Sequence, residues 1–279
     1  MDLPNLFVIG AAKCGTTSLH FYLAQHPEIS MTREKEPDVF SAPDWRSRLG
    51  WYRGRFADGA AYRGEASPGY SAYPLNPDVP GRIREVSPDA RLLYLVRDPV
   101  DRAVAHYAHA RAAGREARPV DEALRHFYRP RHPYVSVSRY ALQVERYLDA
   151  FDRGRLLVVD ADDLRHRRTE ALREVFQFLS VDPSVSSRRF DAELGQSRER
   201  VALSPAGRRL HQSVAGRAFR AIPLELRRPL GVAARRLVGT APGRPSLDSG
   251  LRREIAHFLR ADVTRLRAVT GKSFAGWSV

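Results

Sequence analysis

The sequence predicts an α/β fold of three layers, in which a parallel β-sheet is flanked by helices. Three short apolar runs, at residues 6–9, 91–96 and 156–159, have the length and composition of buried parallel strands. Helical segments follow them along the chain, and strands that alternate with helices form βαβ units. Because open sheets of this kind bind ligands beyond the carboxyl ends of their strands, we expect the functional residues there.

The amino-terminal residues form the clearest strand–loop–helix unit. The first strand leads into a loop from Gly10 to Gly15, and a helix is predicted over residues 16–25. Three apolar side chains at helical spacing share one face of it: Leu19, Tyr22 and Leu23. His26-Pro27 ends the helix, since the residue before a proline disfavours the α conformation.

The middle of the chain continues the alternation. A weaker strand is predicted at residues 63–66, before the turn-like Ser67-Pro68-Gly69. After the strand at 91–96, Asp98 is a good N-cap and Pro99 a good first helical residue, so a helix is expected to about residue 113. The third strong strand is followed by a helix over residues 169–179.

The carboxyl-terminal third has a different character. Five prolines lie among short arginine-bearing apolar pieces at residues 205–247, which indicates broken helices packed over the domain. A final amphipathic helix is marked by Leu251, Ile255, Leu259 and Leu266, and Gly271 is its natural end. We therefore expect one domain over residues 1–279, with 198–247 as an arginine-rich helical cap or lid.

Composition excludes several classes of protein. The 279 residues are 43% hydrophobic and 28% charged, which is ordinary for a globular chain. The single cysteine excludes an internal disulfide framework and a cysteine-based zinc site, and it favours a reducing compartment. We see neither a signal sequence nor an apolar run long enough to span a membrane, so we expect a cytoplasmic protein.

The net charge of +14 is unevenly distributed. Only three of the 46 basic residues are lysines, and residues 198–260 contain 14 arginines against four acids. Charge alone, without a recognised nucleic-acid-binding motif, is a weak indication of a nucleic-acid partner, and we expect none.

The glycine loop predicts an anion site. Residues 10–18 read GAAKCGTTS, and backbone N–H groups and the helix dipole converge on such a loop. The spacing of Gly10 and Gly15 fits the nucleotide-triphosphatase pattern GxxxxGK[ST], but Thr16 stands where that pattern has its lysine. Lys13, inside the loop, would instead reach a group attached to a single 5′-phosphate. The bland alternative is a turn that only links strand to helix.

The order of four motifs resembles a known family. GAAKCGTTSL is followed by REKEPDVF at residues 33–40, GEASPGY at 64–70 and LLYLVRDPVDRAVAHY at 92–107, and residues 269–277 resemble the family's terminal segment. The likeness is to sulfotransferases that use 3′-phosphoadenosine 5′-phosphosulfate, and within them to the heparan-sulfate-type and related bacterial branch. It implies a fold like that of P-loop nucleotide triphosphatases, covers residues 4–180, and matches 198–247 poorly.

The resemblance implies which residues hold the sulfate donor. The 5′-phosphosulfate would lie on the loop and the first helical turn, formed by Lys13, Cys14, Gly15, Thr16, Thr17 and Ser18. Arg97 would bind the 3′-phosphate, because its planar fork can hold a phosphate with two hydrogen bonds. Ala105 occupies the position of a phosphate-binding serine, and the open candidates to replace it are His106, Arg102, Tyr134 and Ser138. Arg198 and Arg200 would close over the nucleotide.

The resemblance also implies the catalytic groups. Glu36 would be the general base that removes the acceptor's proton, with Glu34 and His106 as rivals, and Lys13 would neutralise charge on the leaving phosphate. Asp38 stands where the heparan branch often has a histidine. Three residues are expected near the acceptor: Glu65, Asp38 and His106. Ala66 replaces a family lysine. This transfer requires no metal.

Two other functions stay open at this stage: a nucleotide kinase that uses ATP, and a nucleic-acid-binding protein. The expected acceptor is a hydroxyl or amine on a small molecule, a saccharide or a lipid-linked compound. The basic carboxyl-terminal third has three readings. Arg198 and Arg200 cover the nucleotide, residues 208–238 make a weak contact with an anionic membrane surface, or the region is a solvated lid. The sequence does not predict the oligomeric state.

Overall fold

Five parallel strands form the central sheet of the computed structural model, which describes residues 3–192 and 245–279 and the backbone of 202–203 and 239–240. The strands are β1 (Leu6–Gly10), β2 (Ile29–Met31), β3 (Tyr62–Ala66), β4 (Arg91–Val96) and β5 (Leu156–Asp160). Their spatial order is β2-β3-β1-β4-β5, and every neighbouring pair is parallel. The α/β fold class predicted from the sequence is therefore confirmed, and β1 lies in the middle of the sheet.

Helices connect the strands. They are α1 (Thr16–Leu23), α2 (Trp45–Arg53), α3 (Val79–Val86), α4 (Pro99–Ala112), α5 (Val120–Leu124), α6 (Tyr140–Leu148), α7 (Ala161–His166), α8 (Arg168–Leu179) and α9 (Ser249–Thr270). Two further short strands, β6 (Ala202–Leu203) and β7 (Gly239–Thr240), pair antiparallel with each other.

The helix ends follow the expected chemistry. Asp98 caps α4, because its carboxylate accepts a hydrogen bond of 2.8 Å from the backbone N–H of Asp101. Asp248 caps α9 in the same way. Gly271 ends α9 with a φ of 71°, a left-handed conformation that glycine adopts without steric cost. The predicted start of α4 at Asp98 and the predicted end of α9 at Gly271 are confirmed.

The core lies on both sides of the sheet. All five residues of β1 are buried, as are the last five of β4, so the central strands are apolar along their whole length. A second apolar cluster joins α4, α5 and α9, and it includes Val100, Tyr107, Leu124, Ile255 and Leu259. This cluster fixes α9 against α4 beside the carboxyl end of β4.

The predicted cap falls almost wholly outside the described residues. Of 198–247, the structure describes only the backbone of β6 and β7 and residues 245–247. The broken helices expected there, and the single-domain organisation, therefore stay predictions.

Candidate functional site

Four loops that carry predicted site residues leave the sheet at its carboxyl edge. They follow β1 at Gly10, β2 at Met31, β3 at Ala66 and β4 at Val96. Because all of the strands are parallel, these loops emerge on the same side of the sheet. The edge carries the glycine loop, the segment with Glu36, and Arg97.

The two glycines of the β1–α1 loop are required by its geometry. Gly10 has a φ of 151°, and a Cβ there would lie 1.9 Å from the Ser71 hydroxyl oxygen. Gly15 has a φ of 91° and is the N-cap residue of α1, which has no side-chain cap. Helical geometry directs the first N–H groups of α1 out of this end, where they favour an anion. The backbone of the predicted anion site thus has conformations at Gly10 and Gly15 that favour glycine.

The residues of the glycine loop and the first helical turn differ in their exposure to solvent. Gly15 and Thr17 are exposed, and Lys13 and Ser18 are partly buried. Cys14 is buried, and its thiol lies 3.8 Å from the Tyr140 hydroxyl. Burial raises the pKa of Cys14 to about 11, so the thiol stays protonated.

Two of the predicted donor-binding side chains point inward. The Cys14 N–H donates to the Ala11 carbonyl at 3.1 Å, so this residue shapes the loop, and the prediction that it binds the donor is not supported by its placement. Thr16 is also buried, with 5% of its surface exposed. The accessible hydroxyls of the first helical turn are those of Thr17 and Ser18.

Arg97 occupies the predicted position just beyond β4. One guanidinium nitrogen donates to the Lys13 carbonyl at 3.5 Å, and another lies 3.8 Å from a carboxylate oxygen of Asp101. The side chain is 25% exposed, so it is both held and accessible. The structure therefore brings Arg97 against the glycine loop, and its binding of a 3′-phosphate stays a prediction.

Three of the residues that were candidates to replace a phosphate-binding serine at position 105 already form hydrogen bonds within the protein. Arg102 is fully buried, and its guanidinium donates to the Ser138 hydroxyl at 2.6 Å and to the Tyr134 carbonyl. A third guanidinium nitrogen donates to the Ala12 carbonyl at 3.4 Å, so Arg102 supports the loop from behind. The Ser138 hydroxyl donates onward to the Pro99 carbonyl, and the Tyr134 hydroxyl donates to Glu116.

His106 lies on α4 beside Arg102 and accepts a hydrogen bond from it. Its Nδ1 lies 3.5 Å from Arg102, and since arginine can only donate, Nδ1 accepts and the proton of the neutral ring is on Nε2. Burial, followed by the charge of Arg102, lowers the pKa of His106 to about 3. The rival prediction that His106 is the general base stays a prediction, and the lowered pKa argues against it because it makes the ring a weak base.

Glu65 is a buried carboxyl that holds the neighbouring loop in place through hydrogen bonds. It has no exposed surface, and its two carboxylate oxygens accept hydrogen bonds of 2.7 Å from the hydroxyls of Ser67 and Tyr70. Those same hydroxyls accept from the N–H groups of Asp38 and Phe40. The expectation that Glu65 lies near the acceptor does not fit this burial.

Burial also changes the acid strength of Glu65. It raises the pKa of Glu65 to about 7, because the lost hydration of the carboxylate outweighs the hydrogen bonds from Tyr70 and Ser67. Through Ser67 and Tyr70, one carboxyl group thereby fixes the backbone of residues 38–40. This is the segment that carries the predicted catalytic residues.

The acidic loop itself is partly open to solvent. Glu36 is 47% exposed and pairs with Lys35, whereas Glu34 pairs with Arg55 of the α2–β3 connection at 3.0 Å. Burial, followed by the charge of Glu36, raises the pKa of Asp38. Glu36 and Asp38 thus lie together beyond β2, and Glu34 is directed towards α2.

Sequence reasoning missed the residues that the end of the chain brings to this edge. The N–H and hydroxyl of Ser278 both donate to Asp98 at 2.6 Å, and Arg252 of α9 donates to Asp101. Asp160 caps α7 at the end of β5, and burial raises its pKa to about 6. Only Asp160 had a signal in the sequence, since it ends a strong apolar run.

The two arginines predicted to close over the nucleotide, Arg198 and Arg200, lie outside the described residues. Among residues 3–192 and 245–279, no group of three or more His, Cys, Asp or Glu side chains could hold a metal ion. No helix within the same ranges is long and apolar enough to cross a membrane.

A parallel sheet of order 2-3-1-4-5, with a glycine loop and an uncapped helix after its central strand, defines the class of α/β proteins with a P-loop-like fold. Within this class, the chain belongs to the sulfotransferase domain family, which matches residues 3–198. Membership of this family supports sulfuryl transfer as the type of reaction.

Individual relatives agree with this assignment. Human bifunctional heparan sulfate N-deacetylase/N-sulfotransferase 2 is 26% identical over 224 residues, which cover 69% of this chain and 24% of the relative. Mouse heparan sulfate glucosamine 3-O-sulfotransferase 3A1 is 29% identical over 68% of this chain and 49% of its own length. The chain therefore matches only about a quarter to a half of these relatives.

A solved structure extends the likeness to the whole chain. The crystal structure of a sulfotransferase from Alicyclobacillus acidocaldarius superimposes with a TM-score of 0.71 and 25% identity, covering 100% of both chains.

Proposed function

We propose that this protein transfers a sulfuryl group from 3′-phosphoadenosine 5′-phosphosulfate to a hydroxyl or amine of an acceptor. The observation that carries the proposal is the anion cradle after β1, with Arg97 held against its backbone. The cradle suits a 5′-phosphosulfate, and the arginine suits a second phosphate on the same nucleotide.

In the proposed reaction, Glu36 accepts the proton of the acceptor group as its oxygen or nitrogen attacks sulfur. A bond from the acceptor to sulfur forms, and the bond from sulfur to the bridging oxygen of the donor breaks. The electrons of that bond stay on the 5′-phosphate of 3′-phosphoadenosine 5′-phosphate. Lys13 and the N–H groups of α1 offset the negative charge that develops there. The half-exposed side chain of Glu36 supports its role, since a base must reach the acceptor.

The ATP-kinase alternative has less support. Thr16 stands at the lysine position of the triphosphatase pattern, and its side chain is buried. The acid on β3, the strand beside β1, is Glu65, whose two oxygens already accept hydrogen bonds from Ser67 and Tyr70. Because Glu65 is also fully buried, it does not reach a magnesium ion bound outside the sheet.

The acceptor class is proposed from the relatives. One of them is an N-sulfotransferase of heparan sulfate, and the other is a 3-O-sulfotransferase of heparan sulfate glucosamine. We propose a saccharide, a lipid-linked compound or another small molecule as acceptor, and a cytoplasmic location for the enzyme. The membrane-surface reading of residues 208–238 would be tested by co-sedimentation with anionic vesicles at low and high salt.

The direct test is mass spectrometry of acceptor mixtures after incubation with the sulfate donor. Saccharides, lipids and small phenols would be screened for products heavier by one SO₃ group. We expect such a product with the native protein and none with Glu36→Gln, while Glu34→Gln should retain activity. A Glu36→Gln variant with native turnover would overturn the assignment of the base.

A further inference from the structure

Three charged side chains from separate elements meet at the carboxyl end of β4. They are Arg97 after the strand, Asp101 in the first turn of α4, and Arg252 in the first turn of α9. Arg97 approaches one carboxylate oxygen of Asp101 at 3.8 Å, and Arg252 donates to the other at 2.5 Å. One carboxylate therefore separates two guanidinium groups.

The charges of this cluster do not cancel. Two arginines share one aspartate, which leaves one positive charge in excess. Arg97 also donates to the Lys13 carbonyl, so this charge lies directly beside the glycine loop. The side chains of Arg97 and Arg252 are 25% and 35% exposed, so a ligand at this edge could reach both. A dianionic phosphate is the kind of group that such an arrangement binds.

The same face of α4 provides no other hydrogen-bond donor at the next turn. Residues four apart lie above one another on a helix, so Asp101 and Ala105 share a face, and Ala105 has only a methyl group. Ser138 and Arg102, which lie nearby, are committed to interior partners. The second arginine can supplement Arg97, because it reaches the same carboxylate from α9.

We propose that Arg252 binds the 3′-phosphate of the donor nucleotide together with Arg97, and that Asp101 holds the two guanidinium groups on either side of that phosphate. This inference rests on the proposed function and adds to it a residue from the carboxyl-terminal helix. Arg252 would supply the hydrogen bonds that a serine at position 105 cannot make here.

If Arg252 has only a structural role, its loss should change the nucleotide affinities in a different way. If the ion pair with Asp101 only fixes α9 to α4, then its loss lowers stability and weakens every nucleotide equally. If Arg252 binds the 3′-phosphate, its loss weakens only nucleotides that carry this group. The ratio of two affinities therefore separates the two roles.

The experiment is calorimetric titration with 3′-phosphoadenosine 5′-phosphate and with adenosine 5′-phosphate, which lacks the 3′-phosphate. Arg252→Ala would be compared with the native protein and with Arg253→Ala, which removes the same charge from an exposed neighbouring position. We expect Arg252→Ala to reduce the ratio of the affinities for the bisphosphate and the monophosphate about tenfold. The reason is the loss of charge-assisted hydrogen bonds from the guanidinium group to the 3′-phosphate. Arg253→Ala should keep the native preference within about twofold.

Arg252→Lys keeps the charge and the pair with Asp101, and it tests the same point if Arg252→Ala does not fold. We expect it to reduce the preference by about threefold, because an ammonium group lacks the planar fork. An unchanged preference in the folded Arg252 variants, or equal losses in the Arg252 and Arg253 variants, would overturn the inference and leave the donor assignment intact. A native protein without preference for the bisphosphate would instead overturn the proposed donor.

Discussion

Replacement of Glu65 by glutamine tests the network that fixes the acidic loop. In the native protein, the buried carboxyl has its pKa raised from the ordinary value of 4.5 to about 7. Below pH 4.5 the folded and the unfolded chain both hold this proton. Between pH 4.5 and 7 only the folded chain holds it, so a rise in pH favours the unfolded chain.

The size of this effect follows from the pKa change. Each pH unit between the two pKa values corresponds to about 1.4 kcal/mol, so Glu65 lowers the free energy of unfolding by about 3 kcal/mol across this range. Glutamine does not titrate, and it keeps one of the two acceptors that Ser67 and Tyr70 use. The lost hydrogen bond costs about 1 kcal/mol. Glu65→Gln should therefore be less stable than the native protein near pH 4.5 and about 2 kcal/mol more stable near pH 8.

The assay is urea unfolding of both proteins at intervals from pH 4.5 to 8. Other titrating groups, such as Asp160, are present in both proteins, so their contributions cancel in the difference. Glu85→Gln is the matched control, because Glu85 is 52% exposed and pairs with Arg46 at the surface. A Glu65→Gln difference that does not change with pH, or that matches the Glu85→Gln control, would refute the buried-carboxyl account.

Three further outcomes are expected. Glu36→Gln should lower the turnover number at least a hundredfold in steady-state kinetics, as expected for loss of a general base, with calorimetric affinity for the bisphosphate unchanged. Ser278→Ala should lower the free energy of unfolding in urea by about 1.5–3 kcal/mol, because a hydroxyl bond to the buried carboxylate of Asp98 is lost. Gly15→Ala should cost about 1–2 kcal/mol through its left-handed backbone alone, since a Cβ there meets nothing closer than 3.9 Å.

Each outcome has a result that would contradict it. A Glu36→Gln protein that loses nucleotide affinity as much as turnover would make Glu36 a binding residue. A Ser278→Ala protein as stable as the native one would show that the contact with Asp98 contributes nothing. A Gly15→Ala loss of more than about 4 kcal/mol would mean that the loop has less space than the structure shows.

The central strands and the loop could be predicted because their signals are local. Continuous apolar runs mark β1, β4 and β5, and the two glycines and the hydroxyl residues after them mark the cradle. The edge strand β2 was missed because it has only three residues with a serine in the middle. Helix α2 was missed because its helical period rests on three apolar residues alone, Trp45, Leu49 and Tyr52, of which only the first and last are buried.

The sequence motifs identified candidate site residues, but they did not identify the side chains with which these residues pair. Lys13, Glu36 and Arg97 follow from aligned segments, and the structure places them in loops at one edge of the sheet. The role of Glu65 depends on two hydroxyls that only the folded β3 turn brings to it. The pairing of Arg252 with Asp101 joins residues 151 positions apart, so no local pattern could indicate it.

The central claim is that this edge binds a nucleotide by its 3′-phosphate and its 5′-phosphosulfate. The most direct measurement is calorimetric titration of the native protein with 3′-phosphoadenosine 5′-phosphate, and separately with ATP and Mg²⁺. The account predicts saturable one-to-one binding of the bisphosphate at least tenfold tighter than ATP and Mg²⁺, weakened by Arg97→Ala. Tighter binding of ATP and Mg²⁺, or bisphosphate binding that does not depend on Arg97, would contradict it.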